Sequence, residues 1–123
     1  MRIIALTFLI ACLSACKSDT PKAEALKTDQ LIGKWDVYFV SRNGKETKTT
    51  ENAYFEFQAD NQIKSNLFQD EESRTFNLDE RKISIENTEL LKYLDIDQLL
   101  NDTLILDSKI KSFEMQFKLK KQN

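Results

Sequence analysis

Ser112-Phe113-Glu114-Met115-Gln116-Phe117-Lys118-Leu119 is the stretch whose reading decides the fold. Phe113, Met115, Phe117 and Leu119 alternate with Ser112, Glu114, Gln116 and Lys118, so an extended backbone here presents one apolar and one polar face. The same two-residue rhythm runs upstream in short segments bounded by polar turn residues. Trp35, Val37 and Phe39 share one side of a predicted strand, with Asp36 and Tyr38 on the other. Arg42-Asn43-Gly44-Lys45 follows, and Asn-Gly is a strong hairpin signal because both residues tolerate φ > 0. A weak, polar strand over Glu46 to Thr50 returns from it. Phe55, Phe57 and Ala59 then point inward, and Asp60-Asn61 turns into Gln62 to Phe68. Asp70-Glu71-Glu72 turns into Ser73 to Asp79, where Phe76 and Leu78 share a face, and Glu80-Arg81 leads to Ile83 and Ile85.

Residues 87 to 100 are ambiguous. Asn87-Thr88-Glu89-Leu90-Leu91 suits one helical turn, with Leu90 and Leu94 four apart, or a short turn before a strand from Lys92 to Gln98. We take the second, with Leu94 and Ile96 inward. Asn101-Asp102 closes the next hairpin, and Leu104 and Leu106 continue the apolar face. This gives about eight or nine strands roughly ten residues apart, with no helix long enough for a crossover, so neighbours are antiparallel. One wet face per strand, and edges to hide, favour closure into an all-β, antiparallel up-and-down β-barrel. A two-sheet sandwich is the alternative.

The N-terminus has a different logic. Met1-Arg2 is a short positive end, Ile3 to Leu13 is an almost unbroken apolar run, and small residues precede a cysteine. Leu13-Ser14-Ala15-Cys16 resembles the lipobox of bacterial lipoproteins. That resemblance implies cleavage before Cys16, lipid attachment at Cys16, and a mature protein held at the membrane of the bacterial cell envelope. Residues 1–15 are then a signal peptide, residues 16–30 a lipid-anchored tether, and residues 31–123 the barrel domain. Lys17 to Gln30 is polar, holds the only proline and lacks alternation. As a flexible chain it spans roughly 20 Å.

Composition narrows the chemistry. Cleavage leaves 108 residues, one modest domain. Arg2 is the only charge removed, so 17 basic and 20 acidic residues remain, a net of −3 that points to no nucleic-acid partner. Cys12 goes with the signal and Cys16 takes the lipid, so no thiol is left to pair. Stability must come from burial, mainly of seven Phe and Trp35. There is no His, which removes the commonest neutral-pH base and zinc ligand. Two Gly exclude a glycine-rich phosphate cradle. Asp95, Asp97, Asp102 and Asp107 lack the Asp-x-Asp-x-Asp-Gly spacing of a calcium loop. We therefore expect no metal, no cofactor and no enzymatic activity.

Leu31-Ile32-Gly33-Lys34-Trp35 resembles the opening strand of lipocalins and of the lipocalin-like domains of small bacterial lipoproteins, which begin Gly-x-Trp. Asn43-Gly44, Tyr54-Phe55-Glu56-Phe57 and the run from Ile96 to Leu106 agree with that pattern in order and spacing. The resemblance implies an eight-stranded barrel and carriage of a small apolar ligand. One departure stands out. In lipocalins an Arg near the last strand covers the first-strand Trp, whereas here no Arg follows Arg81, leaving Lys118, Lys120 or Lys121 for that place.

Three residues are candidate ligand contacts: Arg74, Trp35 and Tyr93. Arg74 has the parity of Phe76 and Leu78, so an ideal strand aims its guanidinium inward, where it suits a carboxylate or phosphate. At the strand's start it can instead snorkel to water. Trp35 equally suits a plug at the closed end, and Tyr93 a mouth or a sheet surface. The expected function is a small apolar or amphipathic ligand bound by an anchored outer-membrane lipoprotein, on its periplasmic or surface face. The alternative is a protein-interaction module, with a filled barrel and an envelope protein as partner. Interior volume separates the two.

Overall fold

The computed structural model describes residues 26–48 and 51–122. Nine strands follow one another: β1 (Gly33–Arg42), β2 (Lys45–Thr47), β3 (Tyr54–Gln58), β4 (Gln62–Ser65), β5 (Arg74–Asp79), β6 (Lys82–Ile85), β7 (Tyr93–Leu100), β8 (Thr103–Ile110) and β9 (Phe113–Lys121). Every pairing is antiparallel, and β9 returns to pair with β1 from Trp35↔Lys121 to Arg42↔Met115. The sheet is thereby closed into a barrel, not split into a sandwich. With β9 along one side of β1, both β2 (on Val40–Arg42) and β3 (on Gly33–Asp36) must lie along the other. They act as two pieces of one interrupted strand, so nine strands fill eight positions.

Turn chemistry sets the registers. Asn43 and Gly44 have φ of 53° and 85°, the double positive that a two-residue hairpin turn with matching twist requires. Asp60, Asn61, Glu80, Asn101 and Lys111 also have positive φ at the hairpin turns. The inner face carries the alternating residues, and aromatic rings meet edge to face there. Phe57 and Phe76 are 5.4 Å apart and Phe55 and Phe117 5.8 Å apart between centroids. Trp35, Phe55, Phe57, Phe76, Ile63 and Leu94 are among the side chains withdrawn from solvent.

Four expectations need correction. The inward run on β1 breaks at Tyr38, where a bulge shifts the register between Val37 and Phe39. One extra residue reverses every later side chain. Val40 is therefore buried, and Phe39 lies half-buried outside, beneath the Lys118 ammonium at 4.8 Å. Ala59 sits exposed in the β3–β4 turn instead of inward. β4 ends at Ser65, and Phe68 enters the core from a loop. The domain also starts before Leu31. Leu26 packs on the core, its N–H donates to the Glu80 carbonyl, and Thr28–Gln30 forms a 3-10 turn. The expected signal peptide, Cys16 and the expected tether as far as Ala25 lie outside the described residues.

Candidate functional site

The chain direction divides the barrel into two ends. The β3–β4, β5–β6 and β7–β8 turns share one end with Leu26 and Trp35. The β1–β2 and β8–β9 turns and the β4–β5 and β6–β7 loops share the other.

The first end is closed. Trp35 is fully buried, and its Nε1–H donates to the Leu31 carbonyl at 2.8 Å. The Lys121 ammonium lies 5.4 Å from the ring centroid, so of the three candidate lysines Lys121 covers the tryptophan. Its stem crosses Gly33, where a Cβ would meet Lys121 Cε at 2.6 Å. Gly33 also has φ +138°, which L side chains rarely adopt. Gly-x-Trp here is thus a packing device: the glycine admits the lysine that covers the tryptophan.

Arg74 follows its parity. It points inward, opposite Ile63, and is only 7% exposed, so it does not snorkel. Its Nε donates to the Asn87 carbonyl (2.9 Å), and its Nη1 to the carbonyls of Glu72 (2.9 Å) and Asp70 (3.3 Å). The Asp70 carboxylate pairs with it at 3.2 Å, and the Phe68 ring lies 4.7 Å away. One guanidinium thus ties the β4–β5 loop to the β6–β7 loop. A buried cation is tolerable when its donors are used in this way.

The second end is where space remains. A recess of about 140 Å³ opens there. The buried Val40, Phe117 and Leu91 form its floor, the half-buried Leu67, Ile110 and Met115 its walls, and the exposed Leu90 and Lys48 its rim. Leu90 also borders a larger trough of about 360 Å³ between Tyr93, Lys92, Lys109, Lys111 and Glu89. Tyr93 is 53% exposed on the outer face, with the Lys82 ammonium 5.6 Å from its ring. Trp35, Arg74 and Tyr93 therefore do not converge: one plugs the closed end, one binds loops together and one lines the outer trough.

Nearby, the phenol of Tyr54 donates to Glu71 Oε1 at 3.3 Å. Burial, then the Glu71 and Glu56 carboxylates, raise its pKa above the ordinary 10.0. Asp95 and Asp107 stand opposite each other on the outer face, and the Gln116 amide donates to Asp107 at 2.9 Å. Asp97 is the extra residue of a bulge in β7, and Asp102 lies in the β7–β8 turn. Among the described residues no three His, Cys, Asp or Glu side chains are grouped to hold a metal.

Reading the sequence alone missed the recess. Leu90-Leu91 at an element boundary and the isolated Ile110 before a turn were its only traces, and alternation assigns neither to a site. The closed eight-position barrel is compatible with a lipocalin-like fold. Comparison with family models, with curated proteins and with solved structures found no match.

Proposed function

We propose that the mature chain is a lipid-anchored lipoprotein of the bacterial cell envelope, held at the outer membrane through Cys16, and that its barrel is a non-enzymatic docking module. The observation that carries this is the filled interior. Ligand pockets of carrier type run to about 300–1,000 Å³. Here aromatic and aliphatic side chains occupy the axis, and the recess that reaches the core residues Val40, Leu91 and Phe117 at the open end is about 140 Å³. Binding then happens on the rim and not inside the barrel. A second reading, carriage of a small apolar ligand, draws support from the size of the recess, close to the ~150 Å³ that admits one benzene ring.

Titration with an apolar fluorescent dye separates the two. The docking module predicts no stoichiometric uptake and unchanged Trp35 emission. Tight one-to-one uptake with a change in Trp35 emission would establish the carrier instead. For the anchor, mass spectrometry of membrane-extracted protein should find Cys16 acylated at the new N-terminus, and Cys16→Ser should leave an uncleaved or soluble product. Recovery of the wild type as a soluble, unacylated chain would reject the lipoprotein reading.

A further inference from the structure

We propose that the open end of the barrel receives an acidic segment of a partner protein. One aromatic side chain of that segment seats in the apolar recess, and its carboxylates lie along Lys92, Lys109 and Lys111. The proposal rests on the docking-module reading and gives the partner its chemistry.

Size comes first. The recess matches a single ring, which suits one buried anchor of a protein interface better than an acyl chain. Continuity comes second, because Leu90 borders both recess and trough, so a group leaving the recess enters the trough directly. Charge comes third. Lys48, Lys92, Lys109 and Lys111 line recess and trough with one acid, Glu89, in a chain whose net charge is −2; beyond that lining, Glu114 lies opposite Lys109 across the β8–β9 pair and Glu86 shares a neighbouring hollow with Lys92. None of these lysines has an ion-pair partner within 4.0 Å among the described residues, where the one such pair is Arg74–Asp70. Two acids of the β4–β5 loop are engaged elsewhere: Asp70 with Arg74, and Glu71 with the Tyr54 phenol. Last, Leu26 joins the barrel at the closed end, the end opposite the recess.

The probe is the acetylated, amidated peptide Glu-Glu-Phe-Glu-Glu, titrated into the mature chain and followed by amide chemical shifts. Affinity in the millimolar range is expected for so short a segment. Shifts should centre on Leu90, Tyr93, Ile110 and Met115, and should be absent for Lys-Lys-Phe-Lys-Lys and for Glu-Glu-Ala-Glu-Glu. The exposed pair Lys109→Gln with Lys111→Gln should weaken binding about three- to tenfold and flatten its salt dependence. Equal response to all three peptides, shifts centred on the closed end, or no shift would overturn the proposal. So would phosphatidylglycerol vesicles perturbing these residues while the acidic peptide does not. Dye uptake that shifts Phe57 and Phe76 would instead defeat the docking-module reading. Failure of the peptide without such uptake defeats the acidic partner alone.

Discussion

At the residue scale, Gly33 and Tyr54 show how one position commits its surroundings. Gly33→Ala meets two obstacles: the Lys121 stem 2.6 Å from the new Cβ, and φ +138°. The lysine tip can swing aside, whereas the backbone cannot relax without moving Trp35. We expect a loss of about 1–3 kcal/mol, the range for a residue held in a glycine-only region. Adding Lys121→Ala should recover little of it in thermal melts; full recovery would make the clash, not φ, the cause. Tyr54 gives a pH prediction. Its folded pKa is raised, so its contribution is intact below the unfolded value near 10.0 and is lost as pH climbs through the folded pKa. Denaturant melts should weaken above about pH 10, and less steeply in Tyr54→Phe. An equal slope in both proteins would place the alkaline loss elsewhere.

At the scale of elements, β9 is the test of architecture, since it pairs with both β1 and β8 and closes the barrel. Phe117 lies opposite Val40 and Leu106, is 3% exposed and stacks edge to face on Phe55. Phe117→Ala should cost about 3–5 kcal/mol, as for other emptied aromatic core sites. Gln116 points outward, and its one hydrogen bond is to Asp107, so Gln116→Ala should cost no more than about 1 kcal/mol. Denaturant melts of both variants check the register; similar losses would mean that the strand is slipped by one residue. The bulges at Tyr38 and Asp97 show why parity fails locally. Each adds one residue to one partner only, and nothing in the alternation of either strand announces which residue is extra.

At the scale of the whole molecule, closure depends on a plug from outside the sheet. Leu31 is fully buried and supplies the carbonyl that the Trp35 indole needs. A chain beginning at Gly33 should therefore melt well below one beginning at Leu26, by about 3 kcal/mol or more, from an emptied leucine site and an orphaned buried donor. Equal stability would show that the plug is dispensable. The chain from Leu26 contains neither cysteine. Its melting temperature should not respond to reductant or to chelator; a fall of several degrees with chelator would reveal a cation site at Asp95 and Asp107.

Strand existence and most inward faces were legible because alternation is a local property: Phe117, Leu119, Leu104, Leu106, Leu94 and Ile96 each lie where the two-residue period puts them. Asn43-Gly44 marked its turn, and the Gly33–Trp35 spacing marked the closed end. Arg74 was half legible. Its parity aimed it inward, but its partners, the Asn87, Glu72 and Asp70 carbonyls, come from loops that no period describes. The sandwich and the barrel share the same strands, and only the β1–β9 pairing, about eighty residues apart in the chain, separates them. The open-end recess belongs wholly to tertiary structure. It is the volume left where six segments fail to fill one end, and a volume is a property of their packing, not of any one of them.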